Sequence, residues 1–162
     1  MKELDSYLND HLAGSVGALE LIGHCAHLYE GKSLGVFFAD MKAQIGADQD
    51  TLRNLMHRLG IEESKARQAG AWAGEKVSRA LFTLAGNRSD GVGVLLVLEA
   101  LVMGVSAKRL LWRALSAANL PKLNDIDFEQ LQRRAEEQIK RVQAEQLRSA
   151  RRALTDRRSL AI

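Results

Sequence analysis

The run from residue 92 to 115, VGVLLVLEALVMGVSAKRLLWRAL, constrains the fold more than any other part of the chain. On a helical wheel it is apolar on nearly every side, with one carboxylate, Glu99, in its middle. A helix without a polar face has to be enclosed by other elements, because each free side would leave apolar surface in water. Its most apolar part ends at Ser106-Ala107-Lys108-Arg109 and falls short of the roughly 20 apolar residues that a membrane span needs. No membrane association is therefore expected, and the rest of the chain should supply amphipathic helices to pack around this one.

Composition agrees. Ala, Leu, Gln, Glu and Arg dominate, there is one proline, Pro121, and β-branched residues are sparse outside the central run, which favours helix. The 162 residues suffice for one domain with a real core. A lone Cys25 excludes an internal disulfide framework and fits a reducing compartment. The opening residues Met1-Lys2-Glu3-Leu4-Asp5 carry no basic segment followed by an apolar run, so a cytoplasmic location is expected. No Gly-rich phosphate loop, nucleophile elbow or cysteine pair occurs, which removes the common nucleotide-binding, hydrolase and thiol-redox classes.

Taking the chain in order at about 100° per residue, residues 3–30 gather Leu4, Leu8, Leu12, Leu19, Ile22 and Cys25 on one face. Gly31-Lys32-Ser33 ends this helix, and Ser33 is the expected N-cap of the next. That second helix, about 34–59, presents Phe38, Met41, Ile45, Leu52, Leu55 and Met56, with Gly60 as C-cap. Residues 61–90 form a long Ala- and Gly-rich connection with a weaker helix at about 62–84 carrying Trp72, Val77 and Leu81. Ser89 or Asp90 can cap the central helix, Asn119-Leu120-Pro121-Lys122 breaks it, and Asn124 or Asp125 can cap a last helix running to about Thr155. That helix has a narrow face of Phe128, Leu131, Ala135, Ile139, Val142, Ser149 and Ala153, spaced as at a bundle seam. The expectation is an all-α, four-helix bundle: two antiparallel helix hairpins joined by a long helical crossover, as one domain over 1–155 with a tail at 156–162.

Three segments carry a family resemblance: Tyr7-Leu8-Asn9-Asp10-His11-Leu12-Ala13-Gly14-Ser15, Ala47-Asp48-Gln49-Asp50-Thr51-Leu52-Arg53 and Leu98-Glu99-Ala100-Leu101. They resemble a bacterial branch of the ferritin-like superfamily with a degenerate metal site. The resemblance spans most of the chain and implies the ferritin-like bundle; it implies no particular activity.

Di-iron sites of this architecture take a Glu from each of two helices and a Glu-x-x-His pair from each of the other two. Neither Glu-x-x-His nor Asp-x-x-His occurs here: Glu20 is followed at that spacing by Gly23, Asp48 by Thr51, Glu99 by Val102 and Glu137 by Lys140. An ordinary di-iron centre is therefore not expected, nor is any cofactor. Two weaker candidate sets remain. Glu20, His24 and His27 share a stripe, but it lies opposite the apolar face, where a solvated surface is the plainer reading. His11, Asp48 and Glu99 all project from apolar faces and, if they converge, can hold iron or another divalent metal; the plainer reading is that each has a local partner, Arg53 or Lys42 for Asp48.

The C-terminal arm carries Arg148, Arg151, Arg152, Arg157 and Arg158. Without interleaved aromatic residues it reads as a solvated helix end with cations at the negative pole of the dipole, rather than as a nucleic-acid surface. The central helix has more apolar surface than one bundle face uses, with Leu96, Met103 and Leu110 on its second side, so a homodimer with this helix or the crossover beside it at the interface is expected, full coverage of that side by the crossover being the alternative. The leading functional expectation is a non-catalytic structural or interaction protein that has lost the di-iron ligands. The alternative is a divergent metal-binding protein or metal-dependent oxidoreductase using His11, Asp48 and Glu99.

Overall fold

The computed structural model describes residues 2–63 and 91–155. Among them the chain is helical without strands: α1 (Lys2–Leu28), α2 (Ser33–Leu59), α3 (Val92–Ala118) and α4 (Phe128–Thr155), with a single 3-10 turn at Pro121–Leu123. The crossover helix expected within 61–90, and the tail at 156–162, lie outside the described residues.

The turns follow from local chemistry. Between α1 and α2, Gly31 adopts a left-handed φ of +76°, and the amide of Lys32 donates to the carbonyl of Tyr29 at 3.0 Å. A Cβ on Gly35 would lie 2.2 Å from that same carbonyl oxygen, so the close turn needs glycine there. The expected N-cap, Ser33, is instead the first helical residue; the extended Lys32 holds the cap position without a side-chain bond. At the far end of α2, Gly60 is left-handed, with Gly60 N–H donating to His57 and Ile61 N–H to Met56, which closes the helix as a Schellman motif. Gly91 precedes α3, also left-handed, and Asn119 ends it at φ 47°. The cap of α4 is Asp127, whose carboxylate accepts from the amide of Gln130 at 2.8 Å, and not Asn124 or Asp125. The 3-10 turn after Pro121 carries the chain two residues past those candidates before the helix starts.

Each helix buries a seam that steps alternately by threes and fours. In α2 it is Phe38, Met41, Ile45, Asp48, Leu52 and Leu55; in α3 it is Val94, Leu98, Leu101, Val105, Lys108 and Trp112. One core cluster joins Ile22 and Cys25 of α1 with Phe38 and Met41 of α2, Leu98 of α3 and Val142 of α4. The other joins Leu8 and Leu12 with Leu55 and Met56, Trp112 and Leu131. These pairings make α1 antiparallel to α2 and α3 antiparallel to α4, while α2 and α3 run in the same sense. The chain therefore leaves α2 at one end of the bundle and enters α3 at the other, about 40 Å away for helices of this length.

Glu99 does not face the core. It lies on an exposed arc of α3 with Met103, 66% exposed, and Leu110, 53% exposed. Because this helix is apolar on all sides, hydropathy alone does not choose which arc turns inward; the three-and-four seam does.

Leu98 is fully enclosed, so Leu98→Ala is expected to cost about 2–5 kcal/mol through lost burial and a residual cavity. Met103→Ala should change stability by less than about 1 kcal/mol, and urea titration of both variants distinguishes this arrangement from one with Met103 inside. Cys25, enclosed between α1 and α2, has its thiol pKa pushed up from 9.0 to about 11 by burial. The folded state thus holds its proton more tightly than the unfolded chain. That contribution is complete below pH 9 and is lost as pH rises towards 11. Stability should fall across this interval by roughly 2–3 kcal/mol more in the wild type than in Cys25→Ala, as read from denaturation midpoints at each pH.

Candidate functional site

Midway between the two apolar clusters the four seams each carry one polar residue: Ser15 in α1, Asp48 in α2, Lys108 in α3 and Gln138 in α4. Asp48 is 2% exposed and stands at the centre. Its Oδ2 accepts from the ammonium of Lys108 and, at 2.9 Å, from the amide of Gln138; its Oδ1 accepts from the guanidinium of Arg134. Lys108 also donates to Oε1 of Gln138 at 2.5 Å. Beside this group, Gln49 donates to Ser15 Oγ at 2.8 Å and accepts from Arg53 at 2.6 Å, and the Ser15 hydroxyl donates to the carbonyl of Leu12 at 2.7 Å.

The layer satisfies the condition for a buried carboxylate, which is a close counter-ion together with hydrogen bonds to the remaining lone pairs. Lys108 is itself largely enclosed, and its pKa is lowered, chiefly by desolvation, against the opposing pull of Asp48. Arg134 contributes a second cation but reaches solvent, so its charge is partly screened.

Lys108 and Asp48 also line a cleft of about 420 Å³ between α1 and α3, floored by α2. Large apolar walls come from Leu52, Leu101, Val105, Leu111 and Trp112. The opening exists because the facing positions are small: Gly14 and Ala18 in α1, Ala100, Gly104 and Ala107 in α3. A Cβ on Gly14 or Gly104 would meet nothing within 4 Å. Trp112 is 1% exposed, and among the described residues its buried indole N–H has no hydrogen-bond partner. At the mouth, the rings of Tyr7 and His11 pack edge to face at 4.8 Å between centroids. Burial lowers the pKa of His11, outweighing the raising effect of Asp10, which favours a neutral imidazole there.

The candidates from sequence separate accordingly. His11 and Asp48 line the same cleft, but Glu99 is exposed on the outer arc of α3 and does not join them. Asp48 is paired with Lys108 and Arg134 from other helices, not with Lys42 or Arg53. Glu20 is exposed, His24 half-buried, and His27 lies at the surface 3.6 Å from Glu30. Among the described residues no three His, Cys, Asp or Glu side chains form a group that can hold a metal ion. In the C-terminal arm Arg148 pairs with the buried carboxylate of Glu145 at 2.5 Å, Arg151 and Arg152 are exposed, and Arg157 and Arg158 lie outside the described residues. No described helix is long and apolar enough to cross a membrane.

Lys108, Gln138 and Arg134 are the site residues not anticipated from sequence. Lys108 and Gln138 had a legible signal, since each stands at a seam position, between Val105 and Trp112 and between Ala135 and Val142. Arg134 had none. No family model, curated relative or solved structure matches the chain.

Removing the central carboxylate should leave Lys108 enclosed with no counter-charge. Asp48→Ala is expected to destabilise by about 3 kcal/mol or more. Arg134→Ala, which removes a partly solvated cation, should cost about 1 kcal/mol or less. Much of the Asp48→Ala loss should be recovered in Asp48→Leu/Lys108→Met, which removes both charges; a double-mutant cycle by chemical denaturation measures the coupling.

Proposed function

We propose that this chain is a non-catalytic, ferritin-like helical-bundle protein with a structural or interaction role, in which an internal ion pair occupies the place of a metal centre. The observation that carries this reading is the neutralisation of Asp48: its oxygens accept from Lys108, Arg134 and Gln138. In a ferritin-like centre, inward carboxylates are neutralised by metal cations; here ammonium and guanidinium groups supply that charge. The same-sense arrangement of α2 and α3, joined by a long connection, supports the ferritin-like assignment over a simple up-and-down bundle. The lone Cys25 supports a reducing, cytoplasmic setting in a bacterial cell. The alternative, a centre built from His11, Asp48 and Glu99 around iron or another divalent ion, has a poor donor set, because Glu99 is exposed away from the other two.

The interaction role is proposed to begin with a second copy of the chain. Leu96, Met103 and Leu110 recur every seven residues along the outer arc of α3, half-buried at the first position and exposed at the other two. An apolar stripe on a helical face exposed among the described residues is a surface on which a second copy can pack, and a two-fold dimer is the commonest solution.

Two measurements test the proposal. Protein purified without a histidine tag should carry less than one tightly bound iron per chain by elemental analysis. Stoichiometric iron that survives dialysis against a chelator and is lost in Asp48→Ala would overturn the reading. Light scattering at micromolar concentration should give the mass of two chains for the wild type and of one for Met103→Glu. A single-chain mass for the wild type throughout the concentration range rejects the dimer.

A further inference from the structure

We propose that the cleft between α1 and α3 binds a small monocarboxylate with an apolar body, the carboxylate seated beside Lys108. The volume, about 420 Å³, is that of a small-molecule site, and such sites combine mostly apolar walls with few polar groups. Here the walls are Leu52, Leu101, Val105, Leu111 and Trp112, and the polar end is the ion-pair layer.

The charge of that layer selects the ligand. Of the two cations that pair with Asp48, Lys108 lines the cleft, whereas Arg134 lies outside its lining and reaches solvent. An anionic head can share the Lys108 ammonium; a cationic head meets like charge. Asp10 at the cleft mouth is exposed to solvent, which screens its opposing charge. Hydrogen-bond supply points the same way. An ammonium group has three N–H donors. Among the described residues, Lys108 uses two of them, on Asp48 and Gln138, and the side chain borders the cleft. Among those residues the third donor has no acceptor. A hydrocarbon ligand would desolvate Lys108 and give nothing back, whereas a carboxylate supplies an acceptor. A dianion would bring a second charge for which the cleft lining holds no further cation.

The cleft is also kept open by residue choice. Gly14 and Gly104 sit inside long helices, where glycine is unfavourable, at positions where a larger side chain has room. A Cβ at either position meets nothing within 4 Å, and a larger side chain there would extend from the cleft lining.

The inference rests on the preceding reading only in taking Lys108 and Arg134, rather than a metal, as the counter-ions of Asp48. Iron content and ligand binding are read separately, so either can fail alone. The test uses the full chain with Trp72→Phe, which leaves Trp112 as the one indole. Sodium octanoate is titrated against its emission, with octan-1-ol and octylammonium chloride as neutral and cationic controls. The expected result is a saturable change, with octanoate binding at least about ten-fold more tightly than either control. Gly104→Leu should weaken octanoate binding by at least about ten-fold while leaving the melting midpoint equal or higher. Lys108→Met should remove the preference for octanoate over octan-1-ol; if that variant does not fold, the charge series and Gly104→Leu still decide. No saturable change with octanoate, equal response to octylammonium, or unchanged binding in Gly104→Leu would each overturn the proposal.

Discussion

The pairing of Asp48 with Lys108 is the interaction on which the rest of the arrangement depends. A carboxylate in an apolar interior costs several kcal/mol unless a counter-ion and hydrogen bonds compensate it. Asp48 obtains them from α3 and α4, which belong to the other hairpin. The pair therefore ties the two hairpins in one axial register. Sliding one hairpin by a helical turn, about 5.4 Å, would set Asp48 against the leucines and valines that flank Lys108 and leave both charges uncompensated. The two apolar clusters on either side are chemically alike and give little reason to prefer one register over another. The polar layer between them supplies that reason.

Much of this was readable in the residues, and the failures have definite causes. The four helices, the two hairpins, Gly60 as a C-cap and the inward placement of Asp48 follow from periodicity and capping chemistry. Glu99 was misplaced because α3 lacks a polar face, so nothing in its hydropathy orients it. The partners of Asp48 were sought nearby in sequence, at Lys42 and Arg53. A buried ion pair between hairpins is a tertiary event, and local spacing carries no information about it. Lys108 and Gln138 were nonetheless marked by position: a polar residue at a strict seam position is either an error of reading or half of such a pair. Reading Ile139 as the seam residue of α4, one place from Gln138, concealed the second of them.

The seams between the hairpins are not equivalent. Along α2 and α4 the helices are joined by Asp48 with Arg134 and, nearer the other end, by Asp40 with Arg141 at 2.5 Å. The outer pair is exposed and contributes little by itself. The inner one is coupled to the enclosed layer. Arg58 adds a tie from the end of α2 to the segment before α4, donating to the carbonyl of Lys122 at 2.6 Å and to Asp125. Hydrogen bonding to Arg58 holds the carboxyl of Asp125 below its ordinary range. Between α1 and α3 the backbones approach more closely than between α2 and α4, and small residues, Gly14, Ala18, Ala100, Gly104 and Ala107, line the cleft there.

This asymmetry explains how a bundle tolerates a cleft against its core. Closing the α1–α3 seam would add dispersion contacts and buried area, and single substitutions at Gly14 or Gly104 have room to do so. The register of the hairpins does not depend on that contribution, because the polar layer sets it. A gap beside a purely apolar core would invite the helices to collapse together until it closed. Here the gap is not purely apolar: Lys108 and Asp48 line it, so closing it would desolvate both charges further. The group that fixes the register of the bundle is therefore also the group that gives the cleft its polar end.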